Sequence, residues 1–453
     1  MTSDLRRENG GERSDLAAPS IVRALRHRNF RLFFGGQLVS LVGTWMQSVA
    51  QSWLVFRLTH SSVLLGLVGF ASQIPVFLLA PVGGLVADRR HRLRLLVATQ
   101  TASMVLAFAL AALTLSGRVR EWHIFVLAAL LGVVNAFDIP IRQAFVVEMV
   151  AREDLVNAIA LNSSMVNGAR VVGPAVAGVL VATIGEGWCF FANAVSYIAV
   201  IAALLRMDVP RRALPPRASS ALSHLAEGFR FVARTPPIRA LLLLLGVVSF
   251  TGMPYAVLMP VFAEDILHAG ARGLGILMGA SGLGALLGSL ALARRRGVQG
   301  LGRWVAVSTA CFAMGLVLFA LSRSLPLSVL ILFPLGGAMI VQMAASNTLI
   351  QAMVPDALRG RVMGVYSMMF MGMAPLGAML AGGLAGRLGA PATVAAGGIV
   401  CLAAAGVFAL RLPSLRGHGR RLILAQQAAG GEPAVQAVGS EIAVDDEALE
   451  PSG

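Results

Sequence analysis

Three charged residues lie inside apolar stretches of the chain that are long enough to cross a bilayer. Asp138 and Arg142 fall in a stretch near 122–147, and Arg170 falls in the next one, near 157–184. Charges at such depth are costly and usually functional. By helix rise, Asp138 lies about 14 Å and Arg170 about 20 Å from the same membrane surface. We therefore predict that they pair across the two helices, either as a structural link or as a proton-exchanging site.

The first apolar stretch, near 30–56, carries a polar stripe whose members recur at steps of three or four residues. The stripe consists of Gln37, Ser40, Thr44, Gln47 and Gln51. Amide groups that face lipid lack hydrogen-bond partners, so we expect the stripe to face the bundle interior and a wet cavity. Hydrogen bonding between helices, without any ligand contact, is the alternative.

Three asparagines, Asn135, Asn167 and Asn347, extend the set of candidate cavity residues. Asn135 precedes Asp138 and Arg142 at i, i+3 and i+7 spacing, so the three side chains share one helix face. Polar residues in the second half of the chain are sparser and comprise Ser249, Tyr255, Gln342, Ser346, Asn347, Tyr366 and Ser367. This bias predicts charge chemistry in the first half and an apolar wall in the second.

The composition is that of an integral membrane protein. Hydrophobic residues make up 57% of the 453 positions and charged residues only 13%, whereas soluble domains average about 25% charged. The net charge of +15 does not indicate nucleic-acid binding, because no basic face is interleaved with aromatic residues. No metal cluster, nucleophile triad or phosphate loop stands out. The sequence therefore predicts neither an enzyme nor a cofactor.

Twelve apolar spans can be read along the chain. They lie near 30–56, 62–87, 95–115, 122–147, 157–184, 188–206, 238–263, 273–293, 303–322, 326–350, 362–386 and 391–411. Lipid admits only elements whose backbone hydrogen bonds close internally, and these spans are too long for barrel strands, so we predict an all-α fold. The predicted parts are a tail (1–29), a six-helix bundle (30–206), a linker (207–237), a second six-helix bundle (238–411) and a disordered tail (412–453).

Arginine placement predicts the orientation of the spans. All 37 basic residues are arginine; with the N-terminus inside, 29 of them fall in cytoplasmic segments and six outside. Cytoplasmic loops carry this excess of positive charge. Both termini and the 207–237 linker are therefore expected in the cytoplasm, and the protein in the inner membrane.

The two halves of the chain are related by sequence. A shift of 204 residues places Met149, Gly173 and Gly178 on Met353, Gly377 and Gly382. We interpret this register as an ancient duplication, which predicts two pseudo-symmetric six-helix bundles related by an axis along the membrane normal.

A cationic loop between the second and third spans carries the first family resemblance. Its residues Gly84, Asp88, Arg89 and Arg92 resemble the signature loop of the major facilitator superfamily, with His91 where that family commonly has glycine. The resemblance implies gating. Asp88 would cap the N-terminus of the eleventh span, near residues 361–364, where the helix dipole favours an anion. With Arg89 and Arg92 it would hold the two halves closed at the cytoplasmic side.

The fifth span carries a second resemblance. Gly173, Pro174 and Gly178 resemble the Gly-Pro antiporter motif of exporters, in which small residues permit close helix approach and proline bends the helix. Together with the segments 138–145 and 152–162, they resemble the superfamily branch that contains the enterobactin exporter and macrolide efflux proteins, the transmembrane secretion effector family.

This resemblance implies a secondary active transporter that exports an amphipathic small molecule, such as a siderophore, drug or secondary metabolite, by alternating access and proton antiport. A transporter of a lysophospholipid or another lipid-like substrate is the alternative. A non-transporting scaffold or sensor fits less well, because it has no need of a polar stripe or buried charges. The expected partners are substrate, protons and the bilayer, with no nucleic acid, and we expect a monomer.

The predicted topology can be tested by cysteine labelling in intact cells. In a background without the native cysteines, Ser220→Cys should react with an impermeant maleimide only after the membrane is permeabilised, because the linker is expected inside. Gly117→Cys, in a predicted outer loop, serves as the control and should react in intact cells. Labelling of position 220 from outside would overturn the orientation.

Overall fold

The computed structural model describes residues 23–208, 221–295 and 297–428; the predicted tail up to residue 22, most of the predicted linker and residues 429–453 lie outside the described part. Two short 3₁₀ helices lie at Arg23–Arg26 and Arg152–Asp154, and the main elements of this part are thirteen helices. They are α1 (Arg28–Thr59), α2 (Ser62–Arg89), α3 (Arg92–Leu115), α4 (Glu121–Val146), α5 (Leu155–Ile184), α6 (Glu186–Leu205), α7 (Ala221–Arg234), α8 (Pro236–Ile266), α9 (Gly270–Ala293), α10 (Leu301–Leu321), α11 (Leu325–Met353), α12 (Asp356–Leu388) and α13 (Ala390–Ala428).

Eleven of these helices, α2–α6 and α8–α13, are long and apolar enough to cross a membrane within the described part of the chain. Helix α1 is long enough, at 32 residues, but its polar stripe lowers its hydropathy. It packs against α5 and α6 as a member of the same bundle. With α1 included, the helices match the twelve predicted spans, and α7 is an additional helix in the predicted linker.

The two bundles, α1–α6 and α8–α13, meet along two seams, α2 against α12 and α5 against α9. Glycines face each other in both seams: a Cβ added to Gly66 would lie 2.9 Å from the Cα of Gly382, and one added to Gly178 would lie 2.9 Å from the Cα of Gly275. Such contacts let helix backbones approach closely. Both glycine pairs lie toward one end of the molecule, called here the His60 end, where α1 turns into α2.

The two bundles separate toward the opposite end, called here the Arg90 end, where α2 turns into α3. A Cβ added to Gly84, Gly168 or Gly360 would have no neighbour within 4 Å. On α5, the side chains of Ile159 and Ser163 are exposed near this end. Helix α12 packs against α2 through its segment Met373–Leu388, which lies toward the His60 end. The gap between the halves is therefore closed at the His60 end and open at the Arg90 end.

The segment before α1 is anchored to the start of α5 by Asp154. The carboxylate of Asp154 contacts Arg23 and Arg26 at 2.8 Å and His27 at 2.7 Å. These contacts, first the hydrogen bond with His27 and then the two arginines, hold the pKa of Asp154 below its ordinary value of 3.8 against the opposing effect of burial. A lowered pKa stabilises the fold above pH 3.8, and that contribution is lost as the pH falls through the lower folded value. The Asp154 carboxylate is therefore ionised at neutral pH.

The C-terminal segment differs from the prediction of a disordered tail from residue 412. Helix α13 continues without interruption to Ala428. Leu412, Leu415 and Ile423 pack against the core of the second bundle. Hydropathy indicates only the membrane-spanning part of this helix. The continuation contains the poor helix formers Pro413, Gly417 and Gly419, so apolar contacts rather than helix propensity account for it. Residues 429–453 lie outside the described part.

The glycine seam between α5 and α9 yields a prediction with a matched control on the same helix. Gly178→Ala should force the seam apart at the His60 end, at a cost of about 1 to 3 kcal/mol for overpacking. Gly168→Ala should have no such effect, because its added methyl group meets open space. The reporter is Ala378→Cys in the α2–α12 seam, in a background without the native cysteines. It should react with a maleimide several-fold faster when combined with Gly178→Ala than when combined with Gly168→Ala. Equal labelling in both variants would contradict this role.

Candidate functional site

A cavity of about 100 Å³ lies at the centre of the molecule, between the two bundles. Helices α1 and α5 of the first bundle and α8, α9 and α11 of the second contribute to its wall. The lining residues are Trp45, Arg170, Pro174, Met253, Tyr255, Ala256, Met259, Met278, Ser281, Gly282, Ala285 and Met339. The cavity therefore belongs to neither half alone.

Arg170 is the charged residue of this cavity. Its guanidinium carbon lies 5.0 Å from the centre of the Trp45 ring, so the cation is stabilised by an aromatic face. On the opposite bundle, the hydroxyls of Tyr255 and Ser281 share a 2.9 Å hydrogen bond. Four methionines supply most of the apolar wall. Of these residues, sequence reasoning singled out Arg170 and Pro174 and noted Tyr255; Trp45 and Ser281 carry no pattern that marks them in advance.

The predicted ion pair between Asp138 and Arg170 is not formed among the described residues. Asp138 is 3% exposed, and one carboxylate oxygen accepts hydrogen bonds of 2.8 Å from both Thr99 and Gln100 of α3. Its other oxygen lies 3.4 Å from Nε of Arg142. The prediction used only depth along the helix, whereas Asp138 is directed toward α3 and Arg170 toward the cavity.

The charged pair within α4 extends to α1. Arg142 donates a 3.3 Å hydrogen bond to the side-chain oxygen of Gln37 while it contacts Asp138. Its side chain is 25% exposed. The network thus crosses α3, α4 and α1, and its arginine keeps an edge that solvent can reach.

Most of the α1 stripe is enclosed within the first bundle and does not line the central cavity. Gln37, Ser40 and Gln47 are buried, and Gln47 accepts a 2.6 Å hydrogen bond from Asn193 of α6. Thr44 donates to the Ser40 carbonyl at 2.9 Å, and Gln51 is half-buried. The prediction of a wet cavity wall is therefore wrong for the three buried residues. The alternative, hydrogen bonding between helices, describes the contacts of Gln37 and Gln47.

The three candidate asparagines also lie away from the central cavity. Asn135 is half-buried on α4. Asn167 donates a 2.9 Å hydrogen bond to the Ser163 carbonyl of its own helix. Asn347 accepts a hydrogen bond from Gln351, one turn further along α11. None of the three is among the residues that line the central cavity.

The antiporter-like motif lies where α5 contacts α1 and α9. A Cβ added to Gly173 would lie 2.5 Å from Cβ of Trp45 on α1. Pro174 lines the cavity, and Gly178 faces Gly275 of α9. The motif thus lets α1 approach closely enough for Trp45 to cover Arg170.

The cationic loop is shorter than its sequence suggests, because α2 extends to Arg89 and α3 begins at Arg92. Arg92 donates to the Ala87 carbonyl at 3.1 Å and to the Ala144 carbonyl at 3.2 Å, and pairs with Glu148 at 2.8 Å. These contacts tie α2 and α3 to the end of α4 within the first bundle. Arg89 is exposed, Gly84 has open space beside it, and the side chain of Asp88 lies outside the described part.

The predicted partner of this loop, the start of α12, is engaged elsewhere in this conformation. Arg361 pairs with Glu227 of α7 at 2.6 Å, and Gly228 packs against the Arg361 carbonyl. The bundles are apart at this end, so a contact between the loop and α12 would require them to close. The gating role of the loop stays a prediction.

Two six-helix bundles around a shared central cavity define a transporter of the major facilitator type. A profile of the transmembrane secretion effector family of this superfamily matches residues 20–423. The chain therefore belongs to that family, as its motifs predicted.

Curated proteins similar to this chain include transporters of modest sequence identity. The chain is 26% identical to the staphyloferrin A transporter of Staphylococcus aureus, over 77% of this chain and 88% of that protein. It is 28% identical to the multidrug efflux pump Tap of Mycolicibacterium fortuitum, over 84% and 94%. It is 27% identical to the enterobactin exporter EntS of Shigella boydii, over 86% and 93%. Efflux is thus a recurring activity among its relatives.

The fold itself matches that of a solved transporter. The crystal structure of the nucleoside transporter NupG superimposes with a TM-score of 0.65 at 14% identity, and covers 87% of this chain and 98% of that one. This likeness confirms the predicted twelve-helix fold.

Arg92 and Glu148 form an ion pair, but Arg92 makes more contacts. Substitution of the two residues should therefore destabilise the protein to different extents. Arg92→Gln removes the charge pair and two carbonyl contacts, whereas Glu148→Gln removes the charge only. With about 1 kcal/mol for each hydrogen bond, Arg92→Gln should lower the melting temperature of the purified protein more than Glu148→Gln. The exposed Arg89→Gln should change it little. Equal shifts in all three variants would show that Arg92 makes no stabilising contact.

Proposed function

We propose that the chain is a secondary active exporter of the cytoplasmic membrane that moves an amphipathic small molecule outward by alternating access, in exchange for protons. The observation that carries the proposal is the central cavity, which is built from both bundles and lies between a sealed His60 end and an open Arg90 end. Arginine placement assigns the Arg90 end to the cytoplasm. A substrate would therefore enter from the cytoplasm and leave after the bundles rock about the cavity.

The substrate class is supported by the cavity wall and by the relatives. Methionines from α8, α9 and α11 line the cavity, and methionine adapts its shape to irregular apolar ligands. The curated relatives carry the names of siderophore transporters and of a drug pump. An amphipathic molecule of siderophore or drug type fits both observations.

Proton coupling is assigned to Asp138. Its carboxylate is held by Thr99, Gln100 and Arg142 in the interior of the first bundle. Protonation would remove the charge that opposes Arg142 and so weaken a network that joins α3, α4 and α1. A carboxylate whose charge controls contacts among three helices is suited to link proton uptake to helix movement.

The coupling proposal is tested with protein reconstituted in proteoliposomes. Wild-type protein should accumulate enterobactin, staphyloferrin A or ethidium against a gradient when a proton gradient is imposed. Asp138→Asn should abolish uphill accumulation and retain downhill exchange, since the neutral side chain cannot alternate between charge states. Glu121→Gln, at the other end of the same helix, is the matched control and should behave like wild type.

Two results would contradict the proposal. Full proton-driven accumulation by Asp138→Asn would show that the carboxylate is structural, and Glu148 would then be tested in the same way. Transport of lysophosphatidylcholine, with none of the three other probes moved, would favour the lipid-like alternative.

A further inference from the structure

We propose that Arg170 is an anion-binding group in the central cavity, and that the transported molecule carries a carboxylate-type oxyanion joined to an apolar body. The inference rests on the proposed export function and specifies its substrate. It follows from the charge of the cavity, from the groups around Arg170 and from the size of the cavity.

Within the described part of the chain, no acidic side chain pairs with the charge of the cavity. Arg170 is the charged member of the lining, and it forms no ion pair among the described residues. The acidic partner predicted from the sequence, Asp138, is occupied by Thr99, Gln100 and Arg142. An arginine inside a membrane protein normally pairs with an acidic group or faces a polar pathway. A ligand with a negative charge would supply the missing partner.

The geometry around Arg170 leaves its donors available. Trp45 covers a face of the guanidinium, at 5.0 Å, and a face contact consumes no N–H group. A guanidinium has five N–H donors in its plane, arranged to receive both oxygens of a carboxylate. The stacked ring therefore orients the group while its edge remains free to bind an oxyanion.

A further donor lies on the opposite bundle. Tyr255 and Ser281 share one hydrogen bond of 2.9 Å. Each hydroxyl has a single proton, so whichever oxygen accepts in this pair keeps its own proton for another acceptor. An anion held by Arg170 and by this hydroxyl pair would be bound by both bundles at once.

The size of the cavity limits what it can enclose. At about 100 Å³ it is smaller than the roughly 300–1,000 Å³ typical of whole small-molecule sites. It can hold an acidic group and a few attached atoms against Met253 and Met278. The remainder of the ligand would extend into the gap that opens at the Arg90 end.

The test uses three fluorescent probes that share one dansyl group and differ in charge: dansylglycine is anionic, dansylamide neutral and dansylcadaverine cationic. Binding to the purified full-length protein is followed by energy transfer from tryptophan to the dansyl group. Dansylglycine should bind about tenfold or more tightly than either other probe, the size expected for charge-assisted hydrogen bonds. Trp45→Phe should reduce the energy transfer at saturating dansylglycine, because its ring lies beside the site.

Variants of Arg170 test whether this side chain causes the preference for dansylglycine. Arg170→Gln should lose the tenfold preference for dansylglycine and keep dansylamide affinity within about twofold, which also reports that the variant is folded. Arg170→Lys should retain part of the preference, since it keeps the charge and loses the two-oxygen geometry. Arg118→Gln, an exposed arginine in the α3–α4 turn, controls for net charge and should match wild type.

Several results would overturn the inference. They are equal or tighter binding of dansylcadaverine by wild type, an intact preference in Arg170→Gln, and unchanged energy transfer in Trp45→Phe. If Arg170→Gln does not fold, the wild-type and Trp45→Phe measurements decide.

Binding is measured without a gradient, so it is independent of transport. If the wild-type protein transports a substrate but does not prefer dansylglycine, only the anion site is refuted. If it prefers dansylglycine but transports none of the probes, only the export proposal is refuted.

Discussion

A proline inside a membrane helix leaves the carbonyl four residues earlier without its usual N–H donor, and lipid offers no replacement. In this chain, glycines of neighbouring helices pack onto three such carbonyls. A Cβ added to Gly83 would lie 2.2 Å from the Ala136 oxygen, one added to Gly282 would lie 2.9 Å from the Arg170 oxygen, and one added to Gly377 would lie 2.1 Å from the Phe250 oxygen. Cα–H groups can approach such oxygens as weak donors. The prolines responsible are Pro140, Pro174 and Pro254. One contact lies in each bundle and one lies between them, so the same constraint sets packing within and across the halves.

The contact between the bundles also positions the central cavity. Pro174 removes the donor for the carbonyl of Arg170, and the absence of a side chain at Gly282 brings α9 against that carbonyl. One residue before the proline, Gly173 allows α1 to approach until Trp45 stacks on the Arg170 guanidinium. Residues 170–174 of α5 therefore determine the contact with α9, the position of the Arg170 side chain and the position of the Trp45 ring that covers it. The antiporter-like motif, on this view, is a packing device that places Arg170 at the junction of the halves.

The sequence was sufficient for properties that depend on one helix at a time. Hydropathy located the spans, and the spacing of Asp138 and Arg142 correctly placed them on one face, where they form an ion pair. Properties that depend on the rotation of one helix relative to another could not be predicted from the sequence. Helix rise gives depth but not direction, so the proposed partner of Arg170 was wrong, and the α1 stripe was assigned to a cavity although Gln47 bonds to α6. Trp45 joined the site only through a contact with a residue 125 positions away, which no local pattern records.

Two arginines of the first bundle, Arg142 and Arg170, lie at membrane depth and have different partners, and α1 contacts both. Gln37 accepts a hydrogen bond from Arg142, whose charge is opposed by Asp138, while Trp45 covers Arg170, which has no acidic partner among the described residues. By helix rise, these two α1 residues are separated by about 12 Å along the axis. Protonation of Asp138 would alter the contact at one of these positions, and an anion at Arg170 would alter the contact at the other. A shift or rotation of α1 would change both contacts, so this helix gives the proposed proton site and the proposed substrate site a physical connection without a shared residue.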